Sequence, residues 1–518
     1  MRVAIRGGTV YDGSGAEGRR ADLLLEDGRV AAVGEVSAEA EEVDATGLAV
    51  APGFVDLHSH SDYTLLVDPR AVSAVHQGVT TEVVGNCGFG CFPVLDPGIA
   101  RRAIYGYSDD LPITWSSAGE YFEELERARP AVNVASLVPN GQLRLAAVGL
   151  ADRAAERAER DRMAALLRES LADGAWGYST GLEYAQEQGA TEDEVAELAA
   201  LAPFYATHTR RRDAGAADAV AEAIRTGRRA GVRLQVSHLV PRNGADEARR
   251  CVALVERARA AGDDVAFDMH TRTFGLTNLH AALPAWALAA DRDGLAEILR
   301  DPARRDAMRD HRSILSAGND WSRVVLLDSD AWPEYSRRDI ASIAAERGLD
   351  PLDMVYDLLL GGLDELHRLM VIIHAYTEEQ QREAFAHPLC VPGSDATTLA
   401  PDGRLAHSFF HGAYTWAAWY WRFAVRDAGF LSPAEAVHRL TGQPAERLGL
   451  RDRGLLRPGL AADVVVFDPE TFAERGTTFE PNRLAAGVRD VWVNGVATLR
   501  DGRPTGERGG RVLRRAAA

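Results

Sequence analysis

Hydrophobic and polar positions along this chain fall into three stretches with different periods. Over the first fifty residues, short alternating segments (Val3 to Ile5, Asp22 to Leu25, Val30 to Val33) are separated by Gly- and Asp-rich turns, the pattern of a small antiparallel sheet. The last stretch repeats it: Asp463 to Phe467 and Val488 to Val493 have strand character, and Asn494-Gly495 is a hairpin signal. Two β pieces at opposite ends of the chain are expected to meet in one domain. Between them, apolar runs alternate with segments whose apolar residues recur every three or four positions. That alternation predicts a parallel sheet with crossover helices.

Eight strands can be placed in the middle region: Phe54 to His60, Thr80 to Cys87, Val132 to Val138, Trp176 to Thr180, Phe204 to His208, Arg233 to His238, Val265 to Asp268 and Leu389 to Asp395. Helical segments fall between them, among them Asp152 to Ala172, Glu192 to Leu201, Ala214 to Ala230 and Ala245 to Ala261. Near the end, Ser432-Pro433-Ala434-Glu435 combines an N-cap, a proline at the first helical position and a capping box, so a helix should begin there. The stretch 276–369 is longer than one crossover and predicts an inserted subdomain. The expected architecture is α/β: a (β/α)8 TIM-like barrel over 52–445, with a small β-sandwich domain built from 1–51 and 446–518.

Composition narrows the class. A net charge of −18 with no basic block argues against a nucleic-acid partner, because phosphate contacts need clustered cations. The N-terminus reaches Gly7-Gly8 before any apolar signal region forms, and no later run is long enough for a membrane span, so a cytoplasmic protein is expected. The four cysteines (Cys87, Cys91, Cys251, Cys390) have no disulfide-framework or zinc-knuckle spacing. All 58 basic side chains are arginine, so no step can use a lysine. Homo-oligomerisation stays open.

The candidate chemistry lies in polar residues that close predicted strands. His58, His60, Cys87, His208, His238 and Asp395 all sit at C-terminal strand ends, the face where α/β barrels build their sites. His58 and His60, two apart, point to one face and can share a metal. Each residue alone has a plainer reading: a packed or solvated histidine, a small core cysteine, an aspartate capping a loop. Their coincidence at five strand ends argues for a site. His76, His280, His311, His367 and His438 have no such placement and read as structural, as do Cys91, Cys251 and Cys390.

Several motifs carry a family likeness. Ala51-Pro52-Gly53-Phe54-Val55-Asp56-Leu57-His58-Ser59-His60 resembles the first-strand motif of the amidohydrolase superfamily. Gly78-Val79-Thr80-Thr81-Glu82-Val83-Val84-Gly85-Asn86-Cys87-Gly88 resembles its N-acyl-D-amino-acid deacylase (D-aminoacylase) branch. Gly177 to Leu182, Ser237-His238-Leu239, Gly393-Ser394-Asp395, Thr441-Gly442 through Arg453-Gly454 and Ala461-Ala462-Asp463 extend the likeness over nearly the whole chain. The resemblance implies zinc held tightly by Cys87, His208 and His238, with a weaker second position at His58, His60 and the shared Cys87 thiolate. A carboxylated lysine bridge, common in the wider superfamily, is unavailable here. Thiolate with imidazole favours zinc over magnesium. The implied reaction is hydrolysis of a non-peptide C–N bond in a small-molecule amide by a zinc-activated water, with Asp395 moving the proton.

The likeness breaks at the residues that grip a substrate carboxylate. Leu239-Val240 stands where relatives read Leu-Lys, His270-Thr271-Arg272 where they read Tyr-Pro-Tyr, and His407-Ser408-Phe409 where they read His-Pro-Arg. Pro139-Asn140-Gly141-Gln142-Leu143-Arg144 replaces a Gly-His-Gly-Thr-Leu-Arg pattern. Arg272, His270 and Asn140 are therefore the candidate substrate contacts, Arg272 because its planar fork suits a carboxylate. Trp416, Trp419, Tyr420 and Trp421 would either line a pocket or pack a helix on the barrel. Two alternatives remain beside the deacylase: a hydrolase of cyclic amides, imides or specialised-metabolite amides without carboxylate recognition, and a noncatalytic metal-binding scaffold.

Overall fold

In the computed structural model, which describes residues 2–106, 111–242, 244–315, 320–366 and 368–516, eight parallel strands form the centre. They are β1 (Phe54–Asp56), β2 (Val79–Val84), β3 (Asn133–Pro139), β4 (Gly177–Gly181), β5 (Phe204–His208), β6 (Arg233–Val236), β7 (Val265–His270) and β8 (Cys390–Gly393). Neighbours pair in sequence order from β1 to β8. The ring is closed by a parallel bridge between Ser59 and Ala396 and by two seam hydrogen bonds, Asp395 N to His58 O at 2.8 Å and His60 N to Ala396 O at 2.8 Å.

These runs are strands because both of their faces are buried, which explains why they read as continuous apolar segments. Val55, Leu57, Val83, Ala135, Leu137, Phe204, Ala206 and Val391 fill one cluster with the helix residues Ala445 and Leu448. Alternate positions such as Phe54, Val84, Val134, Val138, Tyr205 and Leu234 join the larger core with the surrounding helices. Burying each such side chain contributes about 1.5–3 kcal/mol, so the strands are fixed firmly and their ends can carry polar residues.

The two chain ends meet in one nine-stranded sheet, with Val464–Phe467 antiparallel to Ala49–Pro52. The turns predict an antiparallel sheet, but the N-terminal part is mixed: Arg2–Val10 pairs antiparallel with Arg19–Glu26 but parallel with Glu41–Asp44 and Ala49–Pro52. The chain must return along its first strand to enter the barrel, and a parallel pairing does this. Asn494-Gly495 forms the hairpin, with Val493 opposite Val496 and φ of 49° and 80°, as a two-residue primed turn requires. Ser432 caps the helix Pro433–Leu440 with Glu435 completing the box. The predicted helix from Asp152 starts later, at Arg157, because Glu156 and Glu159 form the capping box there.

Between β7 and β8 lies a three-stranded antiparallel sheet of Phe274–Asn278, Met370–His374 and Val324–Leu326, with helices around its own apolar core. His367 lies outside the described residues. Among the described residues no helix is long and apolar enough to cross a membrane.

Candidate metal centre

The seam of the barrel positions the first part of the site. Asp395 and His58 are joined main chain to main chain, so the carboxylate after β8 is set beside the two histidines after β1. Cys87 follows β2 in a turn that Asn86 pins by donating to the carbonyls of Val83 (2.9 Å) and Leu57 (3.3 Å). His238 follows β6 by two residues. Cys87, His238 and Asp395 have φ of 52°, 34° and 45°, left-handed conformations that cost a non-glycine residue roughly 1 kcal/mol or more each. Three such residues converging on one point is the mark of a site held in place by its surroundings. Gly88, also left-handed, lets the turn pass against Glu187, whose carboxylate a Cβ would strike.

His58, Cys87, His238 and Asp395 each offer a ligand atom, and these atoms all lie within 4.8 Å of one another. The Cys87 Sγ is 3.2 Å from His58 Nε2 and 3.4 Å from His238 Nε2. Asp395 Oδ1 lies 3.3 Å from His60 Nε2 and 3.5 Å from His58 Nε2. His208 stands beside this group, its ring centroid 4.6 Å from that of His238, with its Nε2 2.8 Å from Glu183. The resemblance implied Cys87 with His208 and His238; the four whose donor atoms all lie within 4.8 Å of one another are Cys87, His58, His238 and Asp395, while His208 Nε2 is bonded to Glu183. Cys87 is common to both groupings.

The donors suit a metal of zinc's type. A thiol sits between imidazoles in a water-poor pocket, and Nδ1 of His60, His208 and His238 are buried without a hydrogen-bond partner. Burial pushes the Cys87 thiol up to about 11, against the pull of His58 beside it. Burial also disfavours a charged His238, and Arg212 nearby adds to this, so its imidazole is held well below its ordinary value and stays a neutral donor. Burial alone would raise the Asp395 carboxyl, but Arg272, His60 and His238 outweigh it and hold it well below the usual range.

Two orienting residues were not read from the sequence. Asp268, on β7, accepts from His58 Nδ1 at 2.9 Å and from the His238 main-chain N at 2.8 Å. Because a carboxylate can only accept, this bond holds a His58 proton on Nδ1 and leaves Nε2 facing Cys87. Glu183 accepts from the other ring nitrogen of His208, Nε2, leaving Nδ1 without a partner, and also pairs with Arg242. A carboxylate ending an apolar strand was the available signal for Asp268. Replacing it, Asp268→Ala, is expected to weaken zinc affinity about 10- to 100-fold, measured by competition with a chromophoric chelator; an unchanged affinity would remove Asp268 from the site.

The predicted substrate contacts divide. His270 lines a cavity of about 30 Å³ together with His208, His238, Asp395, Arg212 and Arg242, and Tyr105, Tyr184 and Phe410 line it too. Arg272 is not free to meet a substrate: it donates to the carbonyls of Ser394 (2.7 Å) and Asp395 (3.0 Å) and to Asp395 Oδ2 (2.8 Å). Asn140 is fully buried, donates to Glu187 at 2.7 Å and is not among the cavity residues. Trp416, Tyr420 and Trp421 are buried in the core on the helix His411–Trp421 and do not line the cavity either. A larger groove, about 1060 Å³, opens at the opposite end of the barrel among Arg233, Leu448 to Arg453 and the tail; it holds none of the candidate ligands.

Comparison with known proteins gives three kinds of match. The model of the amidohydrolase family matches residues 41–498. An N-acyl-D-glutamate deacylase of Alcaligenes xylosoxydans xylosoxydans is 34% identical, covering 100% of this chain and 97% of its own. Among solved structures, an N-acyl-D-glutamate deacylase from Bordetella bronchiseptica, complexed with zinc and a phosphonate mimic of the tetrahedral intermediate, has a TM-score of 0.79 at 32% identity over 99% of both chains. A D-aminoacylase with a binuclear metal centre has a TM-score of 0.81 at 31% identity, again over 99% of both.

Proposed function

This chain belongs to the amidohydrolase family, and we propose that it releases the amine from small N-acylated amino acids in a zinc-dependent hydrolysis. It is a metal-dependent hydrolase of carbon–nitrogen bonds other than peptide bonds, similar over its whole length to N-acyl-D-amino-acid deacylases. The observation that carries the reading is the convergence of His58, Cys87, His238 and Asp395 within 4.8 Å at the C-terminal mouth of the barrel. A noncatalytic scaffold has no physical need to set a carboxylate among three imidazoles and a thiol.

Cys87, His208 and His238 would hold the tighter ion, and His58 and His60 with Cys87 a second. The contacts of Cys87 Sγ with one histidine of each pair support a shared thiolate. Zinc, when bound, supplies Lewis acidity, which brings the pKa of water from about 15.7 toward about 7. The rest falls to the chain. Asp395 receives the proton of the attacking water and delivers it to the leaving nitrogen. Arg272 binds Asp395 Oδ2 and its carbonyl, so one carboxylate oxygen is clamped while the other faces the histidines. Tyr105, Tyr184 and Phe410 add aromatic surface to the cavity wall, and an apolar wall strengthens each charge interaction inside it.

The test is amine release by chelator-stripped and zinc-reloaded protein, offered N-acetyl-D-amino acids, their carboxamides and their cyclic counterparts. Zinc-restored release from the acyl-D-amino acids is expected, and release from no acyl compound by zinc-loaded protein would sink the proposal. A cyclic amide is the second reading, favoured by Val240, which is apolar and buried next to His238 and Leu239; turnover of the cyclic compounds alone would select it.

A further inference from the structure

Three arginines crowd the site, and two of them are neutralised. Arg242 is paired with Glu183, and Arg272 with Asp395. Arg212 lines the same cavity as His208, His238 and Asp395, yet among the described residues no carboxylate pairs with it. The nearby Asp213 is taken by Arg312. Arg212 is only 6% exposed. Its Nη2 donates to the carbonyls of His238 and Val240 and to the Tyr376 hydroxyl, and its Nε is buried with no partner. A buried guanidinium with carbonyls for company and no counter-ion is costly to keep. The cost is recovered when an anion enters the cavity, since charge-assisted bonds to a carboxylate are roughly twice as strong as neutral ones.

We infer that Arg212 is the anchor for an anionic group of the substrate, a carboxylate within a few bonds of the scissile amide. The inference rests on the amide-hydrolase reading and deepens it. Arg212 stands in for the cations absent at Val240 and Phe409, but from the loop after β5. Because Nη2 holds the His238 carbonyl, the anchor and a metal-ligand candidate are mechanically joined, and a substrate seated on Arg212 is set relative to the metal centre. Arg212 is thus a specificity-determining residue and not a catalytic one.

The experiment compares each N-acetyl-D-amino acid with its neutral carboxamide in the zinc-loaded full chain, then repeats the comparison in Arg212→Met and Arg212→Lys, with zinc content checked in each. The wild type should prefer the acid. In Arg212→Met, kcat/KM for the acid should fall roughly 100-fold or more, through KM, and the carboxamide much less, so that the preference collapses; Arg212→Lys should recover part of it. A residue that only braces the His238 and Val240 carbonyls would lower both substrates equally and leave the preference intact, which would overturn the inference. So would a wild type that takes acid and carboxamide alike, whether or not the variants fold. Those outcomes leave the hydrolase reading standing, whereas a zinc-loaded wild type that cleaves no amide overturns both.

Discussion

Asp395→Asn should reduce kcat by roughly 10³- to 10⁴-fold while the protein keeps its zinc. An Asn at this position can still accept a bond from Arg272, and the seam bond from the main-chain N to His58 is untouched. What it loses is the capacity to take a proton, and general acid–base catalysis by one positioned group contributes about 10²- to 10⁴-fold. The effect is placed at the upper end because the same carboxylate serves both transfers. Elemental analysis of zinc alongside single-turnover kinetics separates the possibilities. An Asn variant retaining more than about a tenth of the wild-type rate excludes the proton-carrying role. If the variant loses its zinc, Asp395 acts as a ligand, which its position within 4.8 Å of the other three donors permits.

The second large effect is expected at Cys87. In Cys87→Ala, zinc should no longer bind stoichiometrically and activity should be lost with it, because this thiol touches both His58 and His238. Thermal unfolding reads this without any substrate. At zinc near 100 times its dissociation constant, binding to the folded state contributes about 2.7 kcal/mol, so the wild-type midpoint should rise on adding zinc and that of the variant should stay where it was. A variant that still gains stability from zinc would move the metal to the imidazoles and make the thiol a bystander.

How far the sequence could be read depended on whether a residue's role was local. The barrel strands were legible because strands buried on both faces leave unbroken apolar runs, and β5 matches its predicted bounds, Phe204–His208. His58, Cys87, His238 and Asp395 were legible because a polar residue ending such a run is conspicuous. Asp268 ends such a run too, but its role shows only in the histidines it orients, and Glu183 gives no signal of its own, since it acts through partners brought near by folding. Arg272 reads as a substrate contact in the sequence, but which anion it meets depends on the packing of β7 against β8, and that packing delivers it to Asp395. Asn140 seemed available because its loop departs from the family pattern, while the structure seals it behind Glu187. The left-handed backbone at Cys87, His238 and Asp395 leaves no trace in residue type, because strain of this kind is imposed by neighbours.

The seam bond between Asp395 and His58 also sets when, during synthesis, the protein becomes chemically competent. His60 and Asp395 are separated by 335 residues, and they meet only where the last barrel strand joins the first. A ribosome therefore extrudes the histidines and the cysteine long before the group that moves the proton. Contacts of this span are the slow ones in folding, since the intervening chain must be organised first. A nascent or truncated chain can present thiol and imidazoles to solution, but it cannot assemble the carboxylate among them. The proton-moving group thus joins the site only once the last barrel strand has met the first.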